Sequence, residues 1–125
     1  MKSYLLVGFG SFLGGIFRYG LSNFILTRFP SAFPFGTLSV NLLGCFAIGF
    51  ILGILSKANN GREWQLFLAT GVCGGFTTFS SFSNETYALF QDGLWTSALL
   101  YAAISLLIGV LATIAGYALA RIFTS

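Results

Sequence analysis

The stretch Gly71-Val-Cys-Gly-Gly-Phe-Thr-Thr-Phe-Ser-Ser-Phe-Ser83 decides how this chain is read. Adjacent glycines at 74 and 75 weaken a helix, and the hydroxyls of Thr77, Thr78, Ser80 and Ser81 compete with its ladder for backbone groups. Because the surrounding sequence is apolar, a break in the middle of a membrane span is expected. Irregular backbone at that depth is tolerated only where it is buried in protein or lines a cavity, and freed carbonyls there are ready cation ligands. Beyond the break, Phe79 and Phe82 are three residues apart and share a helical face, with Ser80, Ser81 and Ser83 beside them. Such a pair serves packing in most helices. An aromatic ring edge is also electropositive, so edge-on rings flanked by hydroxyl and amide donors suit a small anion.

The rest of the chain supports a membrane setting. Of its 125 residues 56% are hydrophobic and 7% charged, where a soluble domain carries about a quarter charged. Four apolar stretches, residues 4–26, 35–56, 64–90 and 94–122, are each long enough to cross a hydrocarbon core of about 30 Å. The expected fold is therefore all-α, a single domain of four transmembrane helices. Four spans leave no room for a catalytic domain, a nucleotide-binding unit or a nucleic-acid reader. The net charge of +3 comes from scattered bases, with no run to follow a phosphate backbone. The apolar start after Lys2 continues past Arg18 without a small-residue cleavage site and is read as the first span.

Connections and orientation follow from the remaining polar residues. Pro30 and Pro34 separate the first two spans, and Lys57-Ala-Asn-Asn-Gly-Arg-Glu63 reads as an aqueous loop. Four crossings place both termini and that loop on one side. Lys2, Lys57, Arg62 and Arg121 then oppose Arg28 and Arg18, a small bias towards cytoplasmic termini that leaves insertion in both orientations open. There is no histidine, and Cys45 and Cys73 lack metal-ligand spacing and read as small buried hydrophobes.

Several residues need a reason to lie at membrane depth. Helical spacing puts Thr37, Asn41 and Gly44 on one face of the second span, which serves either an interhelical hydrogen bond or a pore wall. Arg18 either snorkels to the interface or places positive charge in a vestibule. Glu85, the one acid within the third span, is its candidate partner. Tyr101, Ser105 and Gly109 form a polar, small-residue stripe that suits close packing or a polar track.

With these residues assembled, the chain resembles the Fluc (CrcB) family of fluoride channels along essentially its full length. Three motifs carry the resemblance: Gly14-Gly-x-x-Arg18-Tyr19, Gly36-Thr-x-x-x-Asn41-x-x-Gly44, and Gly71-x-Cys-Gly-Gly-x-Thr-Thr-Phe-Ser-Ser-Phe82. The resemblance implies a homodimer of antiparallel subunits in the bacterial inner membrane, with two pores lined by both chains, and no enzymatic activity. It implies a fluoride path along Phe79, Phe82, Asn41, Ser80, Ser81, Tyr101, Ser105 and Thr37, with Arg18 supplying vestibule charge. It also implies a structural sodium ion at the dimer centre, held by the backbone carbonyls of Gly74 and Thr77. Gly109 stands where some family members carry a hydroxyl, and Ser81 where threonine is frequent. The implied activity is passive, electrodiffusive export of fluoride that relieves its toxicity, with fluoride, sodium, lipid and a second copy as partners and no nucleotide or nucleic acid.

Two other classes compete. A proton-coupled four-span exporter needs a titratable carboxylate at mid-membrane, which the first span lacks and which Glu85, towards the end of the third, supplies poorly. A structural subunit of a larger complex fits the composition but gives the Gly-Thr-Phe segment no use.

Overall fold

The computed structural model describes all residues, Met1–Ser125, and every regular element in it is helical. Helix α1 is Lys2–Arg28, α2 is Phe35–Leu55, α3 covers residues 61–76, α4 is Phe79–Gln91 and α5 is Trp95–Thr124. Four helical stretches, Lys2–Arg28, Phe35–Leu55, Gly61–Gln91 and Trp95–Thr124, are long and apolar enough to cross a membrane. The chain is a multi-pass membrane protein of four spans.

The ends of these helices follow from local chemistry. Residues before a proline avoid helical backbone, and α1 stops at Arg28, ahead of Pro30, while α2 starts directly after Pro34. The helices run a few residues past the apolar stretches at most ends. The largest extension is at α3, which starts at Gly61 within the polar Lys57–Glu63 stretch expected to be all loop. At the α4–α5 corner, Gly93 takes φ 74°, the one positive φ in the chain. There the Leu94 N–H bonds the Leu89 carbonyl and the Gly93 N–H bonds that of Phe90, the paired bonds of a Schellman cap.

Glycine sets how closely the helices pack. The most extensive packing joins α2 to α5, followed by α1 to α3. A Cβ at Gly14 would collide with the Val72 carbonyl of α3, and one at Gly49 with the Thr113 carbonyl of α5. Only backbone-to-backbone approach is left at these crossings, which is how membrane helices gain van der Waals contact when lipid offers no hydrophobic drive. Only 18 of 125 residues are buried, and large apolar side chains such as Phe9, Phe12, Leu107 and Leu111 face outwards, as a lipid-facing chain requires.

The termini and the 56–60 loop lie at one end of the bundle. Lys2 Nζ meets Glu63 Oε1 at 2.6 Å, and Lys57 Nζ donates to the Thr124 carbonyl at 3.0 Å. Both bonds are exposed, and they register the helix ends rather than contribute much stability.

Candidate functional site

The third span gives the site its shape. Its segment Gln65–Cys73 is π-helical, closing i→i−5 bonds such as Gly74 N–H to the Ala69 carbonyl. Gly74–Phe76 returns to α geometry, and then Thr77 (φ −86°, ψ 157°) and Thr78 (φ −149°, ψ 119°) are extended. Thus Gly74 and Gly75 themselves remain helical, and the chain leaves helical backbone two residues later. Gly75 serves approach instead, since a Cβ there would run into the Ser11 backbone of α1. The π segment had no sequence signal.

Asn41 of α2 holds the extended residues in place. Its Oδ1 accepts the Thr78 N–H at 2.8 Å and its Nδ2 donates to the Thr78 carbonyl at 3.0 Å. The Thr78 N–H also fixes which end of the amide is oxygen. The Thr78 hydroxyl in turn caps α4, accepting the Ser81 N–H at 3.2 Å, and lies 3.3 Å from Ser80 Oγ. In a continuous helix the Thr78 and Ser81 N–H groups would bond the carbonyls of Gly74 and Thr77. Both donors are diverted, so those two carbonyls lack their regular helical partners.

Two cavities meet at Thr78. The larger, about 330 Å³, is lined by Asn41, Gly44, Cys45, Ile48, Cys73, Gly74, Thr77, Thr78, Phe79, Phe82, Ser105 and Leu106. Phe79 and Phe82 lie along it with ring centroids 5.6 Å apart and planes at 47°, and Phe79 is 74% exposed. Ser105 Oγ is buried without a hydrogen-bond partner. A buried hydroxyl left unpaired costs free energy, which sets Ser105 apart from the other residues around the cavity.

The smaller cavity, about 180 Å³, is lined by Arg18, Tyr19, Ser22, Thr37, Val40, Thr78, Ser81 and Glu85. Arg18 and Glu85 share its walls without pairing. Arg18 Nε donates to the Gly75 carbonyl at 3.1 Å. Glu85 instead accepts from Thr37 Oγ1 at 2.6 Å and from the Tyr101 hydroxyl at 2.9 Å. Hydroxyls on two neighbouring helices satisfy both carboxylate oxygens, so the expected ion pair does not form.

The sequence-selected residues therefore divide between the two chambers. Asn41, Phe79, Phe82, Ser105, Gly74 and Thr77 border the larger, and Arg18, Thr37 and Ser81 the smaller. Tyr101 is fully buried, with its ring 5.1 Å from that of Phe82 and its hydroxyl on Glu85. Ser80 is exposed and lines neither chamber. Thr37, Asn41 and Gly44 do share a face, meeting in turn Glu85, Thr78 and the Thr77 methyl. Thr78, common to both chambers, escaped the sequence reading as a site residue, although it has the signal of an N-cap threonine ahead of a helix. Glu85 was singled out, but as the partner of Arg18, and nothing in the sequence signals its two hydroxyl donors.

A small four-span membrane protein whose third span opens into extended backbone between two polar-edged chambers belongs to the class of compact channels and transporters. Residues 5–117 match the family described as CrcB-like protein, Camphor Resistance (CrcB), and the chain belongs to that family. Curated relatives carry the name fluoride-specific ion channel FluC. That of Thermus thermophilus is 48% identical over 119 residues, covering 95% of this chain and 94% of its own length. That of Azobacteroides pseudotrichonymphae is 42% identical over 125 residues, covering 98% and 99%, and that of Rhizobium meliloti 45% over 122 residues, covering 97% and 98%.

Proposed function

We propose that this protein is a fluoride-selective channel through which the ion leaves a bacterial cytoplasm passively across the inner membrane. The observation that carries the reading is the larger chamber, where Phe79, Phe82, Asn41 and Ser105, whose hydroxyl has no partner, line one space. Fluoride is small and strongly hydrated, so a selective path must replace its water with closely set donors, and a pocket tight enough to do so disfavours larger chloride. Ring edges offer positive partial charge without acting as acceptors. Asn41 spends one amide hydrogen on the Thr78 carbonyl and retains a second.

Thr37 and Ser81 extend the polar path into the smaller chamber, where Arg18 supplies positive charge that raises the local anion concentration. Movement needs no coupled chemistry. A negative-inside potential drives the anion outwards by about 2.3 kcal/mol per 100 mV.

The functional unit is an antiparallel homodimer with two pores, each lined by both chains. Support comes from the exposure of Phe79, which leaves one wall of the larger chamber open in a single chain. The Gly74 and Thr77 carbonyls, without their regular helical donors, fit a sodium ion at the dimer centre. Those carbonyls would hold the ion, which would supply positive charge beside the extended segment.

The test is efflux from liposomes loaded with potassium fluoride, triggered by valinomycin and followed with a fluoride electrode. Rapid fluoride release without chloride release, unaffected by a proton uncoupler, is the expected result. No release from folded protein, or release that collapses with the uncoupler, would return the chain to the subunit or exporter classes.

A further inference from the structure

Cys45 on α2 and Cys73 on α3 are both free, and both line the larger chamber. Fluoride conduction makes no use of either. Threonine hydroxyls take the carbonyls of both residues: Thr113 Oγ1 donates to that of Cys45 at 3.0 Å, and Thr77 Oγ1 to that of Cys73 at 3.0 Å. These bonds tie down the backbone that carries each sulfur. The Cys45 sulfur lies 3.5 Å from where a Cβ at Gly109 would stand, filling the gap that glycine leaves between Ser105 and Thr113. Ser105 lines the same chamber with its buried, unpartnered Oγ. Two free cysteines and Ser105 therefore line one space from three helices.

We propose that Cys45 and Cys73 together form a binding site for a soft divalent cation with a filled d shell, for which mercuric ion is the probe, and that its occupancy plugs the chamber. Thiolate sulfur selects soft metals, whereas sodium, magnesium and calcium take oxygen ligands and do not compete for the pair. The charges balance inside the membrane. One dication replaces the two thiol protons, which leave to solvent, and the resulting bis-thiolate unit carries no net charge. A neutral unit avoids the heavy cost of an isolated ion in a medium of low dielectric. Because both cysteines line one chamber, the second sulfur is an intramolecular ligand once the first is bound, so the pair outbinds either thiol alone by effective concentration.

The effect on flux rests on the reading of this chamber as the ion path, so binding and flux are measured separately. Purified protein is titrated with mercuric nitrate against a competing monothiol, and the sulfur-to-metal charge-transfer absorbance is read. One ion per chain is expected, with C45S and C73S each weakening retention against the competitor by roughly a hundredfold or more. Size-exclusion elution of both serine variants, and of C45A/C73A, at the position of the parent establishes that they are folded. Two ions per chain, or single variants that hold mercury as tightly as the parent, would overturn the paired site. The same titration during fluoride efflux is expected to stop release in the parent and not in C45A/C73A. If mercury is held by the pair and fluoride still passes, the paired site stands, and the assignment of the chamber as the ion path falls instead.

Discussion

The side-chain amide of Asn41 pairs with both backbone groups of Thr78, accepting its N–H at 2.8 Å and donating to its carbonyl at 3.0 Å. One side chain on α2 thus does for an extended residue what the helical ladder does for its neighbours. Because both bonds lie within the bundle, truncation leaves a donor and an acceptor unsatisfied at about 1–3 kcal/mol each.

Asn41→Leu is therefore expected to lower stability by about 2–4 kcal/mol and to abolish fluoride efflux. Asn41→Asp retains an acceptor for the Thr78 N–H but faces the Thr78 carbonyl with oxygen, and it should recover little. Thermal unfolding in detergent, read beside liposome efflux, checks both variants. Parent-like stability in Asn41→Leu would mean that the extended segment holds itself without the amide.

Phe79 and Phe82 separate conduction from folding. Phe82 packs against Tyr101, but Phe79 is 74% exposed and supports little of the subunit interior. Phe79→Ile and Phe82→Ile preserve apolar bulk and remove the ring edge. Each should reduce fluoride efflux at least tenfold while the protein elutes and unfolds as the parent does, and the double variant should be silent. Undiminished efflux in the double variant would exclude the rings from the path.

The Thr37–Glu85–Tyr101 cluster is a joint of three helices, with one carboxylate accepting hydroxyls from α2 and α5. Hydrogen bonds to a charged acceptor are worth about 1.5–3 kcal/mol. Tyr101→Phe and Thr37→Val should each destabilise by about that amount. The double variant should cost more than the sum, because in each single variant Glu85 adjusts to the partner that remains, and the double removes both. Unfolding of the two single variants and the double completes the cycle, and strict additivity would show that the carboxylate does not couple the helices.

How much of this was legible in the sequence depended on the range of the interaction. Apolar runs give the four spans because bilayer thickness fixes their length, and spacings of four and then three brought Thr37, Asn41 and Gly44 to one face. Glu85 was misread because its real partners lie 48 and 16 residues away and carry no charge. An arginine looked like the natural match for an acid, but in this bundle hydroxyls supplied by neighbouring helices satisfy the carboxylate, and Arg18 is drawn to the Gly75 carbonyl. The double glycine marked the correct neighbourhood and the wrong residues. The missing side chain of Gly75 admits α1, whereas the change of backbone falls at Thr77 and Thr78, where Asn41 and the α4 cap compete successfully for the N–H groups.

Arg18 offers a test based on salt. Its guanidinium donates to the Gly75 carbonyl and borders the smaller chamber, so it serves as a local positive charge with no opposing acid bonded to it. A charge that gathers anions acts over about one Debye length, roughly 10 Å at 0.1 M salt and 30 Å at 0.01 M. Arg18→Gln should therefore slow fluoride efflux by up to about tenfold at low ionic strength, with the gap to the parent closing as inert salt is added. Arg18→Lys keeps the charge on a flexible stem and should follow the parent's salt dependence even if the bond to Gly75 is lost. A deficit in Arg18→Gln that stays constant across salt would assign the residue to holding Gly75 and its helix in place rather than to gathering anions.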